Sequence, residues 1–563
     1  MLKIKTLTSL HRVFPTSVPE YDNSSFSALK NEPFSFQVAF KFESADIKSV
    51  PLHIKIESDL NISYYYVNYV PVMHTDVPKF DNPPAPGIYP DMLIPKKLNA
   101  PIVNEGYPGA DRLFEKGEEK QICALNDCWQ AVWITVNERQ QKATAGSHSI
   151  KIRFINNNSS EELACREVTL QIVDAALPKQ KLYCTNWFHC DCLADIYRVE
   201  LFSDKFFEIV KSFAASAATH GMNMILLPAF TPPLDTPIGT ERKTVQLVKI
   251  VKNGRRYSFD FSLMKKYIDI CRSAGIEYFE HSHLFTQWGA TAAPKIVAEV
   301  NGKEKKIFGW ETQADGAAYK NFLKQYIPAV LEFLKQEKLE KKTLFHISDE
   351  PTQNNSATYT RAVKAVGNLL DGYMVGDALS DYHFYENGIV KTPIAKTRDI
   401  HDFTGKCDNL WCYYTGEEVA EGLSNRLIII APERNRMLGV HMYLYNIKGF
   451  LHWAFNYYYD SLSHGLFDPC ANPCGCGNNA GTSFLVYPGR DGKPISSMRQ
   501  KTFFEGINDM RALLLLEKLT SREYCEQLIK DHFGDVTFYT KPESPEQLFN
   551  FKMAVNQAIH ENL

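Results

Sequence analysis

The sequence predicts an N-terminal β-sandwich, then a (β/α)8 TIM-type barrel, then C-terminal helices packed on the barrel. Residues 1–178 carry short runs rich in β-branched and aromatic residues; from about residue 181 apolar runs alternate with helical periodicity; from about Ser496 the pattern is helical alone. The corresponding units are 1–178, 179–495 and 496–563.

In the first unit the strand candidates are FSFQVAFKF, PLHIKIES, QAVWITVNE, HSIKIRFI and REVTLQIVD, separated by turn residues. Between them VPKFDNPPAPGIYPDMLIP is crowded with Pro and Gly, and is expected to be a long extended loop outside any sheet interior. Ala176-Leu177-Pro178 marks the exit. In the second unit eight strand-like runs follow one another: KLYCTNWF, NMILLPAF, YFEHSHLF, LFHISDE, YMVGDAL, VKTPIAK, NLWCYY and GFLHWAF. Segments such as DKFFEIVKSFAASAATHG and SLMKKYIDICRSAGI fall between them and close on a Gly, a usual helix stop. Only a short helix fits between YMVGDAL and VKTPIAK, so a distorted or incomplete barrel is the alternative. In the third unit MRQKTFFEGINDMRALLLLEKL and the segment ending NFKMAVNQAIHENL read as helices.

At 563 residues the chain can bury more than one core. Apolar residues at 44% and charged residues at 23% describe a globular protein, and no run approaches the roughly 18 apolar residues of a membrane span. A net charge of −3 without basic runs gives no footprint for nucleic acid. The first twenty residues form no apolar signal core. Thirteen cysteines, odd in number and dispersed, fit reduced thiols, so a cytoplasmic location is expected.

Asp349-Glu350-Pro351 falls at the C-terminal end of the fourth barrel strand, where such barrels place their chemistry. Neighbouring strand residues point to opposite faces, so both acids reach one pocket only where the strand bends; Pro351 is expected to supply the bend while holding Glu350 extended. Carboxylates this close cannot flank a sugar at the roughly 5–5.5 Å or 6.5–9.5 Å of retaining and inverting pairs. They suit hydrolysis in which a 2-acetamido group of the substrate is the nucleophile. Glu350 would be the acid and base, Asp349 would orient the acetamido N–H, and like-charge repulsion would help keep Glu350 protonated. A solvated helix start is the plain alternative for Asp-Glu-Pro.

HISDEP at 346–351, NWFHCD at 186–191, YPDMLIP at 89–95, GFLHWAFNYY at 449–458 and FLVYPGRDG at 484–492 resemble glycoside hydrolase family 123, the β-N-acetylgalactosaminidases. The resemblance spans nearly the whole chain. It implies a sandwich and barrel, an Asp-Glu pair here occupied by Asp349 and Glu350, and release of terminal β-linked N-acetylgalactosamine from glycans such as those of glycosphingolipids. The approach to the last motif departs from the family pattern: GTSFLVYPG follows a Cys-rich insertion.

Around the dyad, Trp411, Tyr413 and Tyr414 end the seventh strand and Trp453, Asn456 and Tyr457 the eighth, where aromatic faces could stack on a sugar or simply fill the core. Asn186 and His189 end the first strand and His281 and His283 the third, able to bind sugar hydroxyls or to serve packing. The proposed substrate contacts are Asn186, His283, Trp411, Tyr414, Trp453, Asn456 and Tyr457. His346 could hold a carboxylate from within the dyad strand, while Asp377 and Glu433 read as surface or ion-paired acids. Cys470, Cys474 and Cys476, with Cys190 and Cys192, have spacings unlike the usual zinc pattern. No metal and no cofactor is assigned. The rival readings are a two-carboxylate glycosidase acting on sugars without an acetamido group, with Glu433, Asp377 or another acid as nucleophile, and a non-catalytic carbohydrate-binding barrel.

Overall fold

The structure, a computed structural model, describes residues 1–76, 84–96, 122–419, 422–475 and 479–563. The N-terminal region is β-rich: β1 (Leu2–Thr8), β2 (Ser25–Leu29), β3 (Phe34–Phe42), β4 (Ser49–Glu57), β5 (Ile62–Val72), β6 (Gly87–Pro95), β7 (Ile122–Leu125), β8 (Trp129–Val136), β9 (Gly146–Asn156) and β10 (Glu162–Val173). They form two five-stranded sheets, in the orders β1-β3-β8-β5-β6 and β2-β10-β9-β4-β7. Period-two burial explains the shared core: Phe36, Val38 and Phe40 of β3 and Ile150, Ile152 and Phe154 of β9 belong to one buried cluster. The rings of Phe40 and Phe154 lie 5.4 Å apart.

One expectation is corrected here. The GIYPDMLIP part of the Pro-rich stretch is strand β6, hydrogen-bonded to β5 with a register shift between Asn68 and Tyr69. Its prolines are tolerated because β6 is an edge strand, whose outer side needs no ladder donors. Residues 77–83 of the same stretch lie outside the described residues.

The second region is a closed barrel. Its eight parallel strands are β11 (Tyr183–Asn186), β12 (Met224–Leu227), β15 (Tyr278–His281), β18 (Thr343–Phe345), β19 (Met374–Leu379), β20 (Thr392–Lys396), β21 (Trp411–Tyr413) and β22 (Gly449–His452), with β22 pairing back onto β11. All eight strand runs read from the sequence are present. The connections carry α1 (Cys190–Ile196), α2 (Asp204–Thr219), α3 (Ser262–Ser273), α4 (Ala317–Gln336), α5 (Ser356–Val366), α6 (His383–Glu386) and α7 (Pro432–Leu444). Ser203 caps α2 by accepting from Phe206 N at 3.2 Å, and Gly221 at φ +82° and Gly275 at φ +105° end α2 and α3. The helical layer thins where the sequence offers little chain: α6 has one turn, and β20 passes to β21 through the 3₁₀ turn Ile400–Asp402.

The remaining strands were not anticipated. β13 (Lys249–Asn253), β14 (Arg256–Asp260), β16 (Ile296–Val300) and β17 (Lys303–Phe308) make a four-stranded sheet inserted after β12 and β15, and β23 (Val486–Pro488) pairs with β24 (Pro494–Ser496). Two hairpins build the inserted sheet: the first turns on Gly254 and Arg255, with Gly254 at positive φ, and the second on Asn301 and Gly302, both at positive φ, the primed turn that Asn-Gly favours.

Helices α8 (Met498–Leu519), α9 (Arg522–Phe533) and α10 (Pro545–Glu561) close the chain. α8 runs against α7 at Gly439 and Gly506, where a Cβ on Gly439 would stand 1.9 Å from the Gly506 carbonyl oxygen. That proximity makes α8 buried along almost its whole length. Arg499 of α8 is paired with Asp91 of β6, its Nη2 3.0 Å from Oδ2, and Tyr487 donates to the same carboxylate at 2.5 Å. Arg499 Nη1 also donates to the carbonyls of Gly481 and Phe484 at 2.6 and 2.8 Å, so a residue of the N-terminal sheet steadies the loop after the eighth barrel strand. Among the described residues no helix is long and apolar enough to cross a membrane.

Candidate active site

Strand β18 stops at Phe345, and the chain continues over the C-terminal rim of the barrel through His346, Ile347 and Ser348 to Asp349 and Glu350. Asp377, on β19, anchors this segment. Its carboxylate accepts from Ile347 N at 3.1 Å, Ser348 N at 3.3 Å and the Tyr359 hydroxyl, and faces His346 Nδ1 at 3.2 Å. The other imidazole nitrogen, Nε2, lies 2.9 Å from Glu280 Oε1 of β15, and Glu280 also accepts from Thr185 Oγ1 and Trp187 Nε1. All three ionisable members are buried. Burial works against a charged His346, but the hydrogen bonds and charges of Asp377 and Glu280 outweigh it and lift its pKa to about 10. An imidazolium therefore bridges two carboxylates beneath the dyad.

Asp349 and Glu350 both line a cavity of about 310 Å³ at the barrel mouth. Alternation is broken at Glu350, whose φ is +42°. This corrects the expected extended geometry: the residue before Pro351 sits in the left-handed region, a strained conformation that turns its side chain to the same side as Asp349. Glu350 Oε1 accepts from the Tyr413 hydroxyl at 2.5 Å and lies 3.8 Å from Lys396 Nζ. Lys396 is held from its other side by Glu418 at 3.1 Å. Burial disfavours its ammonium, and Glu350 and Glu418 more than offset that, raising its pKa. Burial, then the neighbouring charges of Glu350 and Asp377, push the pKa of Asp349 well above the ordinary range.

Of the other predicted contacts, Trp453 lines the cavity, half-buried. Trp411 does not. It begins β21 at the opposite end of the barrel, stacked 5.1 Å from Tyr183 and fitted over Gly449, where a Cβ would overlap the indole. Tyr414 follows the inward-facing Tyr413 and so points out of the barrel, against Phe450 and His452. His283 is buried, stacked 4.6 Å from His346. Asn186 accepts from Arg426 in the interior. Asn456 grips the backbone of His189, accepting from its N at 3.0 Å and donating to its carbonyl at 3.1 Å. Tyr457 donates to Asp235, and the cavity is lined by Asp235 rather than by Tyr457. His189 does line it; burial, then the charge of Arg242, lower its pKa to about 3, so it is a neutral ring. Glu433 lies in the first turn of α7, outside the cavity lining. Among the described residues no three His, Cys, Asp or Glu side chains are grouped to hold a metal; Cys470 and Cys474 are free thiols, and Cys476 lies outside the described residues.

A family model, the glycoside hydrolase 123 catalytic domain, matches residues 187–516, more than half of the chain. The chain belongs to glycoside hydrolase family 123. Among solved structures, this family 123 hydrolase is similar to a family 123 glycoside hydrolase from Clostridium perfringens that was analysed for glycolipid glycan hydrolysis. The TM-score is 0.70 at 14% identity, covering 100% of this chain and 97% of that one, which establishes a common fold. A β-glucuronidase from Parabacteroides merdae aligns at 12% identity over 86% of this chain and 52% of its own, with a TM-score of 0.29 too low to bear on the fold. No curated protein matches the chain in sequence.

The cavity of this glycoside hydrolase thus has members that sequence reasoning did not select: Trp187, Asp235, Trp288, Lys396 and Tyr413. For Tyr413 the signal was present in the strand phase, since Trp411 and Tyr413 share a face and Tyr414 does not. For Trp288 it was the Gln-Trp-Gly turn.

Proposed function

We propose that this enzyme is a retaining, exo-acting β-N-acetylgalactosaminidase that uses the 2-acetamido group of its substrate as nucleophile. The observation that carries the reading is that Asp349 and Glu350, adjacent in sequence, both line one cavity, with Tyr413 and Lys396 gathered on Glu350 alone. Two such groups cannot straddle a sugar ring, but they can serve the glycosidic oxygen and the acetamido group of the same face.

In the free enzyme burial favours a proton on Asp349. A bound acetamido N–H is a donor and favours the ionised Asp349, so the proton passes to Glu350. The acetamido oxygen then attacks the anomeric carbon, the glycosidic C–O bond breaks, and Glu350 gives its proton to the leaving oxygen. Asp349 stabilises the oxazolinium cation. In the second step Glu350 accepts a proton from water, whose oxygen adds to the anomeric carbon and restores the acetamido group with net retention. Trp453 is the aromatic wall for the sugar, and the substrate is a glycan ending in β-linked N-acetylgalactosamine, of the glycosphingolipid type. The Clostridium perfringens relative, analysed for glycolipid glycan hydrolysis, supports that class.

Release of an aryl alcohol from an aryl β-N-acetylgalactosaminide tests the reading. Wild type should be active and inhibited by a sugar thiazoline, and Glu350→Gln and Asp349→Asn should each lose activity by roughly a hundredfold or more. Full activity of either variant sinks the role given to that residue, and faster turnover of a plain aryl β-galactoside sinks substrate assistance.

A further inference from the structure

Of the seven tryptophans, Trp288 is the one with its ring substantially in solvent, 48% exposed, and it stands at the rim of the cavity. A single exposed aromatic is ordinary. What is not ordinary is the backbone that holds it there. Trp288, Gly289 and Ala290 have φ values of +57°, +123° and +52° in succession. Non-glycine residues in that region cost about 1–3 kcal/mol each and persist only where the surroundings fix them.

The surroundings do fix them, and they are the segments of the dyad. Trp288 N donates to the Asp349 carbonyl at 3.2 Å. Ser348 Oγ donates to the Thr286 carbonyl at 2.7 Å, and Thr286 N donates to the Ala292 carbonyl at 3.0 Å, closing the loop at its base. Gly289 lies so close to Asn355, just after the dyad, that a Cβ there would come within 2.9 Å of it. Gln287 takes a hydrogen bond from Asp235 N across the mouth at 2.7 Å. Ser348, Asp349 and Asn355 thus hold the loop to the catalytic segment, and Asp235 holds it across the mouth.

The opposite end of the cavity is closed by Trp187, Leu234, Ala378 and Leu451, which belong to the apolar cluster inside the barrel. A terminal sugar seated there must send its leaving group outward past the mouth. We infer that Trp288 is the stacking platform for the first sugar of the leaving group. The inference rests on the exo-acting reading above. An indole face offers a pyranose apolar contact without charge, and the backbone tie from Trp288 to the Asp349 carbonyl sets that face relative to the dyad.

The test compares two substrates, a β-N-acetylgalactosaminyl-galactose disaccharide and β-N-acetylgalactosaminyl azide, whose leaving group has no ring to stack. For Trp288→Ala the ratio of kcat/KM for disaccharide to that for azide should fall about tenfold, mainly through KM, and Trp288→Tyr should restore most of it. An unchanged ratio, including the case where both substrates decline by one factor, overturns the platform while leaving the proposed activity intact. Wild type that cleaves neither substrate overturns the proposed activity and this inference with it.

Discussion

The hydroxyl of Tyr413, on β21, donates to Glu350 Oε1 at 2.5 Å, from three strands along the barrel from β18, which leads into Glu350. This contact fixes which oxygen of Glu350 remains free to meet a leaving group. Removing it with Tyr413→Phe should lower kcat by roughly tenfold to a hundredfold, the value of a hydrogen bond to a charged acceptor, with a smaller effect on KM. Steady-state kinetics on an aryl N-acetylgalactosaminide would measure it. An unchanged kcat would mean that Tyr413 only fills space.

Asp349 should cost the enzyme stability at neutral pH. Its carboxyl is pushed up in the folded state, first by burial and then by Glu350, so its contribution to stability is complete below the ordinary aspartate value and is lost as pH rises through the raised one. Asp349→Asn cannot ionise. Its Tm should exceed that of wild type by about 1 °C at pH 7–8, for about 1 kcal/mol, and the two should converge near pH 4. Equal melting curves at both pH values would remove the electrostatic argument.

His346 has the opposite dependence on its partners. Its pKa is raised to about 10 in the fold, so the stability it confers is complete below about 6.5 and declines as pH rises through 10. His346→Gln leaves Glu280 and Asp377 without their cation and should destabilise the protein by about 3–5 kcal/mol at pH 7. The difference from wild type should narrow above pH 10, as read from denaturant midpoints. A difference independent of pH would point to lost packing alone.

Asp91→Ala should be as damaging as a substitution in the barrel, although it lies in the N-terminal sheet. It strands the buried Arg499 guanidinium, and a loss of about 3–5 kcal/mol is expected by chemical denaturation. Asp91→Ala combined with Arg499→Met should recover part of it. A single variant as stable as wild type would show that Arg499 finds other acceptors sufficient.

Much of this architecture was legible because local pattern and fold agree. Each of the eight barrel strands is a short apolar run, even β20, whose Pro393 and thin flanking helices made it the least secure. β6 was hidden because Pro90 and Pro95 speak against a strand unless its edge position is known, and edge position is a property of the sheet. The inserted hairpins were missed although VKNGRR and VNGKEK each carry the Asn-Gly signal. At the site, the dyad announced itself by type and position. The Glu280, His346 and Asp377 network could not, because its carboxylates lie 66 and 31 residues from the imidazole and meet it only when the barrel closes. The choice of Tyr414 over Tyr413 failed on strand phase, and that of Trp411 on which end of a three-residue strand faces the cavity.

The pairing of Arg499 with Asp91 also bears on how such a protein can change over generations. A recombination event that copied residues 187–516 alone would copy an arginine without its counter-charge, and a lineage could not pass the barrel around as a portable cassette until that arginine had mutated. The two halves are therefore expected to travel together, with substitution at one partner constrained by the other.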